Sequence, residues 1–389
     1  MGERDPSRVG IGSGQVEARI GLRKTPGDYD DSMFMQPGTA VTRSSKGVLD
    51  QARQFPRLRY MGSKYRLLPH LERVFADLGG ATAVDAFSGS GVVSYLLKCQ
   101  GFGVTSNDFL TFPATIARAA VENSHVRLSD ELVDKICGPA ADDRDFIQSK
   151  FDGLYFNAAD RAFLDSAWSH IDTLSGYERD LAISALVLSA ARKQPRGVFT
   201  FTDSNRYSDG RRDLSLSMRD HFRERVQSYN EIVFNTERAS RAVCGDVFDL
   251  DAVAPDIVYL DPPYAPPSDD ADYIKRYHFL EGLSVYWRGV RIMEDTKTKK
   301  LEKRYTPFAY KRSIEDALSR TFEHFRDAGA IVLSYSSNAL PGADRITELL
   351  RDVKPRVEVH GVSHKYAFGT HASAVRRDVT EYIFVGRDA

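Results

Sequence analysis

Val84-Asp85-Ala86-Phe87-Ser88-Gly89-Ser90-Gly91 is the stretch whose reading decides the fold. An apolar strand from Ala81 to Phe87 runs into two glycines, then into a helix from about Gly91 to Gln100 that ends at Gly101, a residue suited to a left-handed helix end. A turn of this kind lets the backbone approach a nucleotide-like ligand at the carboxyl edge of a parallel sheet. A tight turn with no ligand is the plain alternative. A dinucleotide oxidoreductase is the competing ligand-binding reading, but its fingerprint wants a third glycine where this chain has Ser94. The next strand, Phe102 to about Ser106, ends at Asn107-Asp108, roughly 20 residues beyond the glycines, where a carboxylate can accept hydrogen bonds from both hydroxyls of a ribose. An Asx turn or helix N-cap is the alternative role for Asp108.

Outward from this core the alternation of strand and helix patterns marks an α/β sheet. Strand patterns resume at Arg241 to Cys244, Asp256 to Leu260, Ala330 to Tyr335, Arg356 to Gly361 and Thr380 to Val385, which makes seven strands. Between the two groups lies a domain-sized insertion with helical patterns near Ser129 to Ile136, Ala159 to Leu174 and Tyr177 to Arg192. Its end alternates apolar and polar residues around Val198, Phe199 and Phe201 before the turn signal Asp209-Gly210, which reads as a hairpin or long loop. The expected organisation is a flexible N-terminal arm over 1–54, a catalytic domain over 55–123 and 237–389, and an inserted domain over 124–236.

Composition excludes several classes. The 389 residues are 42% hydrophobic and 28% charged, enough to build a core without disulfide or metal staples. Cys99, Cys137 and Cys244 are far apart and no histidines cluster, so neither a disulfide framework nor a metal site is expected, and a reducing cytoplasm fits. The longest apolar stretch, Leu181 to Ala191, is too short for the ~18 residues of a membrane span. A net charge of -1 means that any polyanion must be held by locally concentrated positive charge.

The chemistry concentrates in Pro255-Asp256-Ile257-Val258-Tyr259-Leu260-Asp261-Pro262-Pro263-Tyr264. A buried-strand pattern delivers an acid, two prolines and an aromatic to the sheet edge where open α/β folds place ligands. The prolines fix their φ angles and donate no hydrogen bonds, so the Asp261 carboxylate and the Pro262 carbonyl can act as rigid acceptors for an NH2 group on an aromatic ring. Drawing both protons frees the nitrogen lone pair, and Tyr264 can stack on the ring. A stiff surface turn is the alternative, and the three motifs in this order argue against it.

Together, Arg59-Tyr60-Met61-Gly62-Ser63-Lys64, Asp85 to Gly91, Asn107-Asp108 and Asp261-Pro262-Pro263-Tyr264 resemble the Dam-like, alpha-group DNA adenine methyltransferases, which include modification methylases of restriction systems. The resemblance covers the chain from about Arg59 to its end. It implies a Rossmann-like, seven-stranded methyltransferase sheet with a reversed last strand and an inserted DNA-recognition domain. It also implies S-adenosylmethionine as cofactor, bound by Tyr60, Met61, Gly62, Lys64, Asp85, Phe87, Ser88, Gly89 and Gly91, with Asp108 at the ribose. Asp246 would meet the adenine, with a helix N-cap as its alternative. Asp261, Pro262, Pro263 and Tyr264 would form the catalytic tetrapeptide. The reaction implied is methylation of the adenine 6-amino group in double-stranded DNA by base flipping, without a metal. A cognate restriction endonuclease is the expected partner. Cytosine 4-amino methylation and a non-catalytic, cofactor-binding DNA module are the alternatives, the first opposed by Asp rather than Ser at 261 and the second by the complete tetrapeptide.

By the same resemblance the insertion reads DNA sequence, and Lys193, Arg196, Arg206, Arg211 and Arg212, interleaved with Phe199, Phe201 and Tyr207, are the expected contacts. A second basic stretch, Arg288 to Arg312, could meet phosphates beside the catalytic loop, with a solvent-exposed helical face as the alternative. His278, in Tyr277-His278-Phe279-Leu280-Glu281, has no assignable chemistry and reads as a packing residue.

Overall fold

The computed structural model describes residues 45–195, 197–200, 210–251, 254–265, 272–367 and 376–388. Its seven strands are β1 Thr82–Asp85, β2 Gly103–Asp108, β3 Arg241–Cys244, β4 Ile257–Leu260, β5 Ala330–Ser336, β6 Arg356–Ala367 and β7 Arg376–Arg387. They form one sheet in the order β3-β2-β1-β4-β5-β7-β6. β1 to β5 pair in parallel, and β7 runs antiparallel to both β5 and β6. The strand order reverses between β1 and β4, so the chain leaves their carboxyl ends in opposite directions and opens a crevice there. Buried residues cover both sheet faces, which is why β4 reads as an unbroken apolar run.

The helix after the glycine turn spans Val92–Cys99, and seven of its eight residues are buried. In the insertion, helices at Asp130–Ile136, Ala158–Ile171 and Gly176–Arg192 coincide with the three helical patterns of the sequence. Gly176–Arg192 is buried from Asp180 to Ala191 on every side, as expected of a helix apolar all round. Residues 44–389 form one compact unit. Insertion residues such as Trp168, Leu181 and Phe222 share a continuous core with Phe75, Leu96 and Tyr259 of the sheet region.

Three features differ from the sequence reading. The described end of the arm is ordered as a helix, Ser45–Arg53, and Ala52 and Phe55 are buried, the Phe55 ring lying 5.1 Å from that of Tyr95. The apolar spacing of Val48, Leu49 and Ala52 is the signal that marks it. Strands β6 and β7 are twice as long as their sequence patterns. β5 pairs with β7 only as far as Ser336 opposite Glu381, and beyond that β6 and β7 pair with each other alone. Lastly, Val198, Phe199 and Thr200 adopt no strand. The rest of the expected hairpin, with Arg196, Phe201, Arg206 and Tyr207, lies outside the described residues, as do residues 1–44 of the arm.

Candidate active site

The turn after β1 is built by hydrogen bonds that leave little freedom. The Ser88 amide donates to the Asn107 carbonyl at 2.8 Å and the Gly91 amide to the Ser88 carbonyl at 2.7 Å. Gly89 has φ +50° and Gly91 φ +84°, in the left-handed region, and a Cβ on Gly89 would lie 2.9 Å from the Tyr60 ring. The two glycines therefore fit both the backbone and the aromatic that covers it. Ser94, in place of a third glycine, donates its hydroxyl to Asp85 Oδ2 at 2.6 Å and lies 2.8 Å from the Ser106 hydroxyl, tying the helix to β1 and β2.

Asp108 ends β2. Its Oδ2 accepts from the Gly89 amide at 2.8 Å and its Oδ1 from the Leu110 amide at 2.9 Å, so the Asx turn weighed as an alternative is present. Each oxygen keeps a lone pair for a further donor. Burial pushes the Asp108 carboxyl up to about 6, against the pull of the Leu110 and Gly89 amides. Burial likewise raises Asp85 to about 7, opposed by the Ser94 hydroxyl.

The segment before the sheet folds over this turn. Tyr60 stacks on Tyr277 with ring centroids 4.8 Å apart, and the Met61 amide donates to the Tyr277 hydroxyl at 2.7 Å. Lys64 is buried, and its ammonium donates to the Gly62 carbonyl at 2.6 Å and pairs with Asp261 Oδ1 at 2.7 Å. Tyr264 donates its hydroxyl to the same Asp261 oxygen at 2.8 Å, and the Lys64 ammonium lies 5.1 Å from the Tyr264 ring centre. Burial raises the Asp261 carboxyl, while Lys64 and then Tyr264 pull it down.

These elements surround one cavity with about 930 Å³ of empty space, part of it open to solvent. Tyr60, Met61, Gly62, Lys64, Asp85, Phe87, Ser88, Gly89, Asp108, Asp261 and Pro263 line it. Gly91, Pro262 and Tyr264 are not among the lining residues; Gly91 starts the Val92–Cys99 helix, and Tyr264 reaches the site through its bond to Asp261. Asp246 is not there either: its carboxylate caps the turn Val247–Asp249 by accepting from the Phe248 amide at 3.2 Å. Sequence reading misses Phe109, Leu110, Tyr273 and Tyr310 of the other wall, which also includes Lys303 and Arg304. Tyr273 and Tyr277, four apart on the helix Tyr273–Ser284, carry the one available signal.

The same helix accounts for the Tyr277 to Glu281 motif. Glu281 is buried and accepts from the Thr111 amide at 2.9 Å and the Phe112 amide at 3.2 Å, capping the helix Thr111–Ala117 that follows Asp108. His278 is buried, donates from Nε2 to the Phe199 carbonyl at 2.8 Å, and is lowered by burial to about 4, so it is a neutral packing residue.

Of the expected DNA contacts, Lys193, Arg211 and Arg212 are described, and each has a partner within the protein. Lys193 is half-buried, pairs with Asp160 at 3.0 Å and donates to the Leu216 carbonyl. Arg211 donates to the Pro195 carbonyl at 3.1 Å, and Arg212 pairs with Glu224. Arg59, next to Tyr60 of the cavity wall, fastens this region by donating to the Gln194 carbonyl at 3.0 Å and to Asp213 at 2.8 Å. Lys303 and Arg304, candidates for phosphate contact, stand at the cavity itself. Among the described residues no group of three or more His, Cys, Asp or Glu side chains could hold a metal ion, and no helix is long and apolar enough to cross a membrane.

A mixed sheet with a reversed β7, a glycine turn leaving β1, and an Asp-Pro-Pro-Tyr leaving β4 whose Asp261 and Pro263 line the same cavity define the fold of the S-adenosylmethionine-dependent methyltransferases. The residues fit that cofactor, which is a cation with an aromatic base: Tyr60, Phe87 and Phe109 give apolar walls, Asp85, Asp108 and Asp261 give negative charge, and Asp85 Oδ1, Ser63 Oγ and Ser88 Oγ are buried without hydrogen-bond partners. Residues 60–301 match the family model of the D12 class N6 adenine-specific DNA methyltransferases, and the chain belongs to that family. It is 26% identical over 328 residues to the Type II methyltransferase M2.HphI of Haemophilus parahaemolyticus, covering 80% of this chain and 93% of that protein. It is 23% identical over 342 residues to the Type II methyltransferase M.FokI of Planomicrobium okeanokoites, covering 79% of this chain and 48% of that protein. The chain is thus an enzyme that methylates adenine N6 in DNA and uses S-adenosylmethionine as methyl donor.

Proposed function

We propose that the cavity between β1 and β4 is the methyl-transfer centre and that Asp261 is its principal catalytic group. The observation that carries this reading is that Gly89, Asp108 and Asp261 line one cavity, so a cofactor on the glycine turn and a target base at the tetrapeptide would share it. S-adenosylmethionine supplies the electrophilic methyl group. Asp108 accepts from the ribose hydroxyls, and Asp85, with an oxygen lacking a partner, takes a cationic group of the cofactor. Asp261 and the Pro262 carbonyl accept hydrogen bonds from the two N–H groups of the adenine 6-amino group, which releases one proton only after the N–C bond has formed and the S–C bond has broken, and Tyr264 stacks on a base flipped out of duplex DNA. Asp261 then stabilises the positive charge that develops on nitrogen. Its present contact with a buried ammonium, Lys64 at 2.7 Å, supports that role, because the carboxylate is already set against a cation.

The inserted residues 124–236 read the target sequence in this proposal, with Arg211 and Arg212 the described candidates for DNA contact. Both relatives are Type II methyltransferases, which supports a chain that protects DNA in the cytoplasm alongside a cognate endonuclease. The test is Asp261→Ala, with Asp261→Asn as the variant of matching shape. Methyl transfer should fall on the order of 100-fold or more while calorimetry still detects cofactor binding. Turnover near that of the parent would reduce Asp261 to a turn residue and end the reading.

A further inference from the structure

The family match ends at residue 301, yet Lys303, Arg304, Thr306, Ala309 and Tyr310, just beyond it, still line the cavity. We propose that Arg304 in this segment is a positioning residue for the cofactor, clamping the turn Asp108–Thr111 that forms one cavity wall. The inference rests on the reading that this cavity holds S-adenosylmethionine.

Two contacts from one guanidinium reach that turn and a third reaches the carboxylate that holds it. It lies over the Phe109 ring, 4.0 Å from the centroid. It donates to the Phe109 carbonyl at 3.1 Å. It also stands 4.0 Å from Glu281, the buried carboxylate that holds the Thr111 and Phe112 amides. The turn is therefore gripped three times over. Asp108 binds the Leu110 amide, Glu281 caps the helix that follows, and Arg304 covers Phe109, the aromatic next in sequence to the carboxylate assigned to the ribose. Phe109, Leu110 and Arg304 all line the cavity.

A planar guanidinium is what the geometry requires. It stacks on a ring and donates in its own plane at once, whereas an ammonium is a compact, strongly hydrated charge that offers no flat face. Lys303 lies 3.5 Å from Asp272, another cavity residue, so the two neighbouring cations tether this segment at two separate points of the wall. Sequence alone allows phosphates against this stretch, and the two roles part cleanly in experiment. A phosphate contact raises DNA affinity and its salt dependence, whereas a clamp on Phe109 acts on cofactor affinity with no DNA present.

The test is calorimetry of the full chain with S-adenosylmethionine and no DNA, for Arg304→Ala, Arg304→Lys and Asp108→Ala, with thermal unfolding to confirm folding. Arg304 is about half exposed, so its truncation leaves the core intact. Arg304→Ala should weaken cofactor binding about tenfold, Arg304→Lys should recover little of it, and in turnover the loss should appear in KM for the cofactor rather than in kcat. The log-log salt slope of DNA binding should stay put. Cofactor affinity within twofold of the parent would overturn the proposal, and a slope reduced by about 0.9 in that case would return Arg304 to the phosphates. Full recovery by lysine would overturn the stacked geometry. If Asp108→Ala also left affinity unchanged, the cavity assignment itself would fail, whereas loss in Asp108→Ala alone would sink only the role of Arg304.

Discussion

Asp85→Asn should make the cofactor-free protein more stable than the parent, increasingly so as pH rises. Asp85 is fully buried at the end of β1, with one oxygen held by Ser94 and the other without a partner. Burial raises its carboxyl from an ordinary 3.8 to about 7, and the nearby Asp261 and Asp108 carboxylates push the same way. The folded state thus binds this proton more tightly than the unfolded chain. The ionisable group costs nothing below about pH 4, progressively more between pH 4 and 7, and about 4 kcal/mol above pH 7, at 1.36 kcal/mol for each tenfold. Asparagine carries no such penalty. The stability gap between variant and parent should widen in favour of the variant by roughly 3 kcal/mol from pH 5 to pH 8, measured by urea unfolding without cofactor. A site built to hold a cation keeps this cost in its empty form, so the same variant should lose S-adenosylmethionine affinity. A gap that stays constant or narrows with pH would refute the reasoning, because Asp85 would then not be a buried carboxylate awaiting a partner.

Two further perturbations address the neighbours. Lys64→Met removes the cation that holds Asp261 down, so the acid limb of the kcat/KM profile should move to higher pH and turnover at neutral pH should drop; an unmoved profile would show that the pair does not tune Asp261. Replacing Arg211 and Arg212 together with alanine should weaken DNA binding and lower the log-log salt slope by about 0.9 for each lost phosphate contact, with cofactor affinity intact. Unaltered affinity, slope and sequence choice would move the recognition surface elsewhere.

Local features are legible in the sequence, and features made by distant contacts are not. The strand, glycine turn and helix from Thr82 to Cys99 are local, since each residue's role follows from its immediate neighbours. β4 and its Asp-Pro-Pro-Tyr are legible for the same reason. The Ser45–Arg53 helix escapes notice because nine residues with three apolar positions give a weak pattern, and the burial beside it depends on Tyr95, far along the chain. The ion pair of Lys193 with Asp160 is not legible in the sequence, because the two residues are distant along the chain and neither carries a mark of the other. Asp246 shows the limit of analogy, since a carboxylate after a strand serves equally well as a cap. The wall formed by Lys303, Arg304 and Tyr310 has no local signal, because a basic stretch looks the same whether it faces DNA or closes a cavity.

The most direct test of the central claim is the identity of the product. Purified protein is incubated with DNA and methyl-labelled S-adenosylmethionine, the DNA is digested to nucleosides, and the labelled nucleoside is identified by mass. The predicted product is the deoxynucleoside of N6-methyladenine, formed by the parent and lost with Asp261→Ala. Label on the 4-amino group of cytosine, or equal labelling by the Asp261→Ala variant, would contradict it.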